Sequence, residues 1–345
     1  MAEIVCVSQP PPERPDPPAL PKREGPPKIV TKLDLAKLPL GTRHRLHLQL
    51  FRDPAGQPLR VPVLVVRGAE PGPVLGVTAA IHGNELNGIP AVHRFVHGLD
   101  PKRLRGTVVA ISVVNIPGFL LRRRGFSDAR DLNRLFPGKD GGTDSQLWIG
   151  RLREQFLTQV DFLVDLHTAG PGRTNPVYAR IDLDEPTSVE LGVAAKPDLV
   201  LHKPANPKTL RGAARELGVP CVTLELGAPQ VLQPEIVERA TNGLRRIARY
   251  LEMLPRPLNV RSRPTLCSES SWLYTEHGGL LEVFPELLER VREGQSIARI
   301  VNLFGEVVGE YQAPHKGIVI GKTLDPVAPI GTRIVHLGKL AAWDD

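Results

Sequence analysis

The sequence predicts an α/β protein with a mixed, mostly parallel sheet and helices on both faces, plus a small C-terminal all-β domain. Between residues 74 and 254, short apolar runs rich in β-branched residues alternate with longer segments of helical periodicity. This alternation is typical of a largely parallel sheet that is covered on both sides. After Pro257 the chain changes to short β-like runs separated by glycines such as Gly294 and Gly305, which predicts the second domain.

The length and composition of the chain exclude several classes of protein. The chain has 345 residues, of which 41% are hydrophobic and 23% charged, so it can bury a core. Three cysteines are too few for a disulfide scaffold, which favours a reducing compartment. No run approaches the roughly 20 apolar residues of a membrane helix, and the N-terminal sequence does not resemble a signal peptide. The sequence therefore predicts a soluble, cytoplasmic protein with no membrane partner.

The net charge of +7 would suit a nucleic-acid partner, but aromatic residues make up only 5% of the chain and the basic residues are scattered. We therefore expect no nucleic-acid binding. A local excess of cations does occur at Arg122–Arg124, followed by Arg130, Arg134 and Lys139. Loop cations of this kind suit a phosphate or a carboxylate.

Three segments are expected along the chain. Residues 1–40 are predicted to be a Pro-rich, disordered tail, because nine prolines interleaved with charged residues between positions 10 and 27 can bury little surface. Residues 41–257 form the α/β domain, which ends where a long amphipathic helix is followed by Pro-rich sequence. Residues 258–345 form the small β-rich domain.

Within the α/β domain the elements follow in order. Residues 43–67 predict a hairpin with its turn at 53–56, because two alternating or apolar runs flank Asp-Pro-Ala-Gly. Further strands and helices follow from apolar runs and helical periodicity. The predicted strands are residues 74–81, 107–114, 160–166, 199–202 and 221–226, and the predicted helices are residues 90–99, 207–217 and 234–254.

Chemistry-bearing side chains follow two of these strands. His82 and Glu85 come directly after the strand that ends near residue 81, and His167 ends another strand. Because ligands bind at the carboxyl ends of strands in open α/β sheets, these side chains are expected to converge. Two imidazoles and one carboxylate, with a position open for water, form the ligand set of catalytic zinc, although cobalt, iron or manganese would also suit imidazole ligands.

Two further carboxylates have a functional and a structural interpretation. Asp165 lies two residues before His167 on the same strand face, where it either accepts a hydrogen bond from an imidazole or is held by backbone donors. Glu225 interrupts an apolar strand, and a buried carboxylate needs either a partner or a function. It is the candidate general base and acid, with a structural salt bridge as the alternative.

Substrate contacts are predicted upstream of His167. Asn133 and Arg134 place an amide beside a guanidinium, a pair that can bind a carboxylate through charge-assisted hydrogen bonds. One arginine of Arg122–Arg124 could stabilise an oxyanion, the negative oxygen formed when a carbonyl is attacked. At least two of these three arginines are expected to be solvated.

Four blocks together resemble the succinylglutamate desuccinylase/aspartoacylase family of the zinc metallocarboxypeptidase superfamily: residues 82–85 (HGNE), 131–134 (DLNR), 165–167 (DLH) and 225–227 (ELG). The resemblance implies a zinc carboxypeptidase-like fold, with one zinc per chain held by His82, Glu85 and His167. It assigns Glu225 as general base and acid, Asn133 and Arg134 to the substrate carboxylate, Arg211 as a second substrate-binding arginine, and Arg124 to the oxyanion.

The resemblance extends to the C-terminal segment, which is similar to the family's small domain over the active-site mouth. Trp272 and Tyr274 in this segment are expected to be core or domain-interface aromatics rather than substrate contacts. Family members often form dimers or larger assemblies, which leaves a homo-oligomer open for this chain.

The predicted function is that of a zinc-dependent amidohydrolase that removes an acyl group from the nitrogen of an amino acid or a similar small anion. The cationic loop favours an anionic N-acyl substrate. Two alternatives stay open. A metallocarboxypeptidase acting on a short or modified peptide would use the same groups, and a non-catalytic binding protein would keep the fold and hold an acidic partner.

Overall fold

The structure, a computed structural model, describes residues 25–343 except positions 54, 257, 259 and 261. Its strands are β1 (Lys28–Val30), β2 (Thr42–Arg52), β3 (Pro58–Arg67), β4 (Glu70–Ala79), β5 (Arg105–Ile111), β6 (Phe162–His167), β7 (Arg173–Thr174), β8 (Val177–Ile181), β9 (Leu199–His202), β10 (Cys221–Leu226), β11 (Thr265–Tyr274), β12 (Gly279–Val283), β13 (Arg290–Val291), β14 (Ser296–Val301), β15 (Val307–Gln312), β16 (Gly317–Thr323), β17 (Val327–Ala328) and β18 (Arg333–Ala341). Its α-helices are α1 (Gly88–His97), α2 (Ile116–Leu120), α3 (Asp144–Gln155), α4 (Pro186–Ala194), α5 (Leu210–Glu216) and α6 (Pro234–Tyr250).

A large mixed sheet forms the centre of the protein, which confirms the predicted α/β class. Its strand order is β1-β2-β3-β5-β4-β6-β10-β8-β9-β11-β18-β16-β13, and β7 pairs with β16. The central strands β5, β4, β6 and β10 are mutually parallel, so their carboxyl ends meet at one edge. The predicted hairpin is β2 and β3, which pair antiparallel.

Helices cover both faces of this sheet because each has an apolar stripe to bury. On one face α1, α4 and α6 pack against alternate residues of the central strands, with Phe95 and Leu244 among the buried side chains. On the other face α3 and α5 form a second apolar cluster around Trp148, which is fully buried. The parallel strands are therefore buried on both faces, and the candidate site residues lie near the carboxyl ends of these strands.

The predicted tail of residues 1–40 is too long. Residues 1–24 lie outside the described residues, but β1 pairs with β2, and Leu33 and Leu35 are buried in the α3 cluster. The side chains of Gln155 and Gln159 accept hydrogen bonds from the Leu33 and Leu35 amides, at 3.2 and 3.3 Å. The last third of the predicted tail is therefore part of the α/β body, because two leucines at alternate positions supply apolar surface that the prolines lack.

The C-terminal segment contributes to two sheets. Strands β15, β14, β12 and β17 form a small antiparallel sheet, as predicted. Strands β11, β18, β16 and β13 instead extend the main sheet, because β11 pairs in parallel with β9. The segment is thus joined to the α/β body by backbone hydrogen bonds. In the part of the chain that the structure describes, no helix is long and apolar enough to cross a membrane.

We expect Leu35→Ala to lower the free energy of unfolding by about 2–4 kcal/mol, because the truncation leaves a cavity in the α3 cluster. Ile29→Ala is the matched control: Ile29 lies on β1 but is 52% exposed, whereas Leu35 is 7% exposed. The control should cost less than about 0.5 kcal/mol. Urea unfolding followed by circular dichroism measures both. Equal, small effects would mean that residues 28–38 do not belong to the folded body.

Candidate metal centre and active site

The candidate site lies where β4, β6 and β10 end. His82 and Glu85 are in the loop after β4, His167 is the last residue of β6, and Glu225 lies near the end of β10. His167 and Glu225 are register partners on adjacent parallel strands, so their side chains lie side by side on one face. The structure therefore brings these four side chains to one edge of the sheet.

A tight turn after β4 holds His82 and Glu85 together. The Glu85 amide donates to the carbonyl oxygen of His82 at 3.0 Å. Gly83 lies between them against the middle of α2, and a Cβ atom there would be 2.1 Å from the carbonyl carbon of Gly118. No side chain fits at this position, so the glycine is required for the close approach.

The ligand atoms of His82, Glu85 and His167 lie within 4.8 Å of one another, and all three residues are buried. His82 Nδ1 is 2.8 Å from Glu85 Oε1, and His167 Nδ1 is 3.0 Å from Glu85 Oε2. His82 Nδ1 is buried and makes no hydrogen bond within the described residues. A buried nitrogen without a hydrogen bond, facing a carboxylate, fits a bound cation better than it fits a closed polar cluster.

The opposite nitrogen of each imidazole is bonded to a carboxylate. His82 Nε2 lies 3.0 Å from Asp131 Oδ1, and His167 Nε2 lies 2.6 Å from Asp165 Oδ2. Metal-ligating histidines show this pattern, because the carboxylate fixes the ring and leaves the other nitrogen for the metal. Asp165 also accepts a hydrogen bond from Thr78 Oγ1 at 2.7 Å, so side chains rather than backbone amides hold it.

The charges of this cluster are strongly coupled. Burial raises the pKa of Glu85, but His82 and His167 outweigh burial and hold that pKa well below its usual value. Burial lowers the pKa of His167, but Asp165 and Glu85 outweigh it and raise that pKa well above its usual value. The site therefore favours a positive charge between its carboxylates.

Glu225 is buried and has two side-chain partners. Arg180 Nη2 lies 2.9 Å from Glu225 Oε1, and Asn175 Nδ2 donates to Oε2 at 3.1 Å. Arg180 also donates to the hydroxyl of Tyr178 from Nε and Nη2, at 3.0 and 2.6 Å. Sequence reasoning missed Arg180, Tyr178 and Asn175; the alternation of Tyr178 and Arg180 in a short β-branched segment was the available signal.

The three adjacent arginines have different environments. Arg122 is exposed, and Arg123 donates to the carbonyl oxygens of Phe126 and Ser127. Arg124 points into the site: Nη1 donates to Glu85 Oε1 at 2.9 Å, and Nη2 and Nε donate to Asp131 Oδ2 at 3.0 and 3.2 Å. Of the three, Arg124 is the one that contacts the predicted ligand set.

The predicted substrate-binding residues line the same cavity. Asn133 Oδ1 accepts the Leu210 amide at 2.8 Å, which fixes the Asn133 amide and leaves Nδ2 as a donor. Arg134 is exposed at the cavity wall. Arg211 is only 9% exposed, and its Nη1 is buried without a hydrogen-bond partner among the described residues. An unpaired buried guanidinium nitrogen is costly unless a ligand completes it.

The cavity has a volume of about 580 Å³ and is lined by both parts of the protein. The C-terminal segment contributes Trp272, Arg333 and His336, and Arg173 joins them from β7. We call these four residues the tryptophan wall. Trp272 therefore lines the cavity, contrary to the expectation of a core or interface role, because β11 extends the main sheet at this edge. Tyr274 is 48% exposed and is not part of the cavity lining.

A protein-family comparison covers the segment that contains the site residues. The sequence model of the succinylglutamate desuccinylase/aspartoacylase catalytic domain matches residues 71–251, which span β4 to α6. The chain belongs to this family. The match contains all four sequence blocks that carry the resemblance.

Similar proteins match this chain over most of its length. The N-alpha-acetyl-L-2,4-diaminobutyric acid deacetylase of Halomonas elongata is 25% identical over 296 residues, covering 81% of this chain and 86% of the relative. A succinylglutamate desuccinylase structure from a Silicibacter species aligns with a TM-score of 0.79 at 24% identity, over 88% of this chain and 98% of that one. The product-bound ectoine utilization protein EutE (DoeB) of Ruegeria pomeroyi aligns with a TM-score of 0.78 at 23% identity, with the same coverage.

We expect Asp165→Asn to weaken divalent-metal binding by about 10- to 100-fold, because the amide no longer fixes the His167 ring through a charged hydrogen bond. Competition with a chromophoric chelator measures the affinity. Asp161→Asn is the matched control, since Asp161 lies just before β6 and its side chain accepts the Val74 amide of the neighbouring strand, at 2.7 Å. Unchanged affinity in Asp165→Asn would contradict its role in orienting His167.

Proposed function

We propose that the chain is a zinc-dependent hydrolase that removes an acyl group from the nitrogen of an N-acyl amino acid or a similar small anionic amide. The observation that carries this proposal is the meeting of His82, Glu85 and His167 at one point, with Glu225 beside His167 on the next strand. Family membership and the name of the Halomonas elongata relative, a deacetylase of an N-acetylated amino acid, support the reaction class.

His82 and His167 would bind the ion through Nδ1, and Glu85 through its carboxylate. Two imidazoles and one carboxylate with an open position suit zinc. The buried, unbonded Nδ1 of His82 and the carboxylates behind both rings support this assignment. When bound, zinc supplies Lewis-acid polarisation of the amide carbonyl and lowers the pKa of a water molecule.

Glu225 is assigned to proton transfer. Its carboxylate takes a proton from the attacking water and returns it to the departing nitrogen. Arg180 and Asn175 each donate to one oxygen, and since a carboxylate oxygen has two lone pairs, each oxygen can still accept a proton. The same two donors fix the plane of the carboxylate, so the base is oriented before the substrate arrives.

The remaining polar groups are assigned to the substrate. Arg124, anchored on Asp131, keeps a guanidinium nitrogen beside the ligand set, where it would stabilise the oxyanion. The free Nδ2 of Asn133 and the exposed guanidinium of Arg134 would bind the substrate α-carboxylate, with Arg211 as a further cationic contact. Deacylation rather than peptide hydrolysis is favoured by the names of the relatives.

We expect Glu225→Gln to lower kcat by about 10³-fold, within the range for loss of a general base and acid, while about one zinc per chain remains bound. Elemental analysis gives the metal content, and release of the free amine from N-acyl amino acids and dipeptides gives turnover. Glu282→Gln is the matched control, because Glu282 also pairs with an arginine, Arg299 at 2.7 Å, on the distant small sheet. Turnover above a tenth of wild type in Glu225→Gln would contradict the assigned role, and faster cleavage of dipeptides would favour a peptidase.

Removal of the metal should abolish turnover and destabilise the fold. After dialysis against a strong chelator we expect less than about 1% of activity, with recovery on addition of one equivalent of zinc. Without the cation the buried His82 Nδ1 has no hydrogen-bond partner among the described residues, so the melting temperature should fall. Differential scanning calorimetry of the two forms measures the change. Full activity of the metal-free protein would contradict a metal-dependent reaction.

A further inference from the structure

Five large apolar side chains are exposed on two turns outside the cavity. The turn at the end of α2 carries Phe119, Leu120 and Leu121, and the turn before α6 carries Val231 and Leu232. Their exposed fractions lie between 37 and 72%. A single exposed apolar residue is ordinary on a protein surface, but a contiguous group of them marks an interaction site. We call these five residues the apolar patch.

A hydrogen bond joins the two turns of the apolar patch. Gln230 Nε2 donates to the carbonyl oxygen of Arg122 at 3.1 Å, so the residue before Val231 lies against the residue after Leu121. Arg122 and Gln230 both have a left-handed backbone, with φ of 52° and 60°, which residues other than glycine seldom adopt. The exposed side chains of the two turns therefore form one surface on adjacent backbone.

Opposite charges flank the second turn of the apolar patch. Gln230 holds Arg122 at the start of this turn, and Glu235 follows its end in the first turn of α6. Val231 and Leu232 come between the two charged residues. Both charged residues are exposed, and neither makes an ion pair within the described ranges. The order along this turn is therefore cation, apolar pair, acid.

This order of charges suits a second copy of the same chain. A two-fold axis through the apolar patch turns the order around, so each Arg122 would face the Glu235 of the other copy while the apolar side chains meet in the middle. An anionic lipid surface would attract Arg122 but repel Glu235 and Glu238, which are both exposed on α6. The surface is therefore complementary to itself rather than to a membrane.

The apolar patch also adjoins the loop of the predicted metal ligands, residues 82–87. The Gln230 amide donates to the carbonyl oxygen of Asn84 at 2.9 Å. Asn87 and Gln233 bond reciprocally: Asn87 Nδ2 donates to Gln233 Oε1 at 3.0 Å, and the Gln233 amide donates to Asn87 Oδ1 at 2.9 Å. A contact that restrains the turn before α6 would therefore restrain this loop as well.

We infer that the apolar patch, with Arg122 and Glu235 beside it, binds a second copy of this chain across a two-fold axis, and that this contact restrains the loop at residues 82–87. Because both copies use the same surface, the assembly closes as a dimer and does not extend into a filament. Neither the association nor the restraint on the loop requires the proposed reaction, so both can be measured without turnover.

Sedimentation velocity of the full chain measures the association. Leu121→Asp combined with Leu232→Asp should raise the dissociation constant of the dimer by about 100-fold or more, because the substitutions place charges in the apolar centre of the contact. Leu303→Asp is the matched control, since Leu303 is 89% exposed on the turn between β14 and β15, away from the patch. A wild-type chain that stays monomeric at about 100 µM would overturn the inference. A dimer that survives the double substitution, or one that only Leu303→Asp dissociates, would overturn it as well.

Charge reversal tests the pairing of the two copies. Arg122→Glu alone, or Glu235→Arg alone, places like charges opposite each other on both sides of the two-fold axis, so each variant should bind its own copy about 10-fold more weakly than wild type. An equal mixture of the two variants should recover the wild-type affinity, because every acid in the mixed dimer again faces a cation. A mixture that associates no better than the separate variants would contradict the proposed pairing.

Hydrogen exchange followed by mass spectrometry tests the restraint on the loop. Amides of residues 82–87 should exchange about 10-fold faster when the wild-type protein is diluted below its dissociation constant, whereas those of β14 should not change. Equal exchange in the monomer and the dimer would overturn the restraint. Flotation with vesicles of phosphatidylcholine and phosphatidylserine tests the other occupant: wild-type monomer that binds these vesicles and does not dimerise would assign the patch to lipid and overturn the inference.

Discussion

The buried carboxylate of Glu85 is the interaction on which the site depends. Its Oε1 faces His82 Nδ1 and Arg124 Nη1, and its Oε2 faces His167 Nδ1 and the Thr168 amide at 3.1 Å. A buried carboxylate costs several kcal/mol unless polar partners surround it, and here the neighbouring groups come from three separate segments of the chain. The loop after β4, the segment before Asp131 and the end of β6 are therefore fixed relative to one another by a single side chain.

Two further carboxylates bind the basic side chains around Glu85. Asp131 binds both His82 and Arg124, and Asp165 binds His167. Each basic group near Glu85 thus has a second carboxylate partner, which leaves little freedom for the rings.

Much of this network could be predicted because several of its residues stand out from the apolar sequence next to them. His82, Glu85 and His167 come at the ends of uninterrupted apolar runs, and the geometry of parallel strands brings such ends together. Glu225 is equally visible, as one charge in an apolar strand that the structure reproduces at Cys221–Leu226. The central sheet followed from the same runs, and the strands at residues 199–202 and 221–226 have the expected bounds.

The parts that could not be predicted depend on strand pairings that the local sequence does not specify. β8 is only five residues long, and its antiparallel pairing with β10 sets Tyr178 opposite Glu225 and Arg180 opposite Thr223. Nothing in the segment itself specifies that direction or register, so Arg180 was not predicted as the cationic partner of Glu225. The same holds for Trp272, whose position in the cavity follows from the pairing of β11 with β9. Leu33 and Leu35 were hidden by composition, because the prolines before them dominate any average over the N-terminal region.

One continuous sheet carries two groups of cavity residues on different strands. The predicted metal ligands and Glu225 lie on β4, β6 and β10 or just after them, in the interior of the sheet, whereas the tryptophan wall comes from β7, β11 and β18 at its far side. Because β11 is hydrogen-bonded to β9 and β7 to β16, both sets share one rigid backbone and need no hinge to meet. Side chains of β11 and β18 also lie outside the Glu85 network, so their replacement leaves the ligand set intact. Substitutions on the strands of the C-terminal segment can therefore reshape the cavity wall while the predicted ligand set and Glu225 keep their positions on the parallel strands.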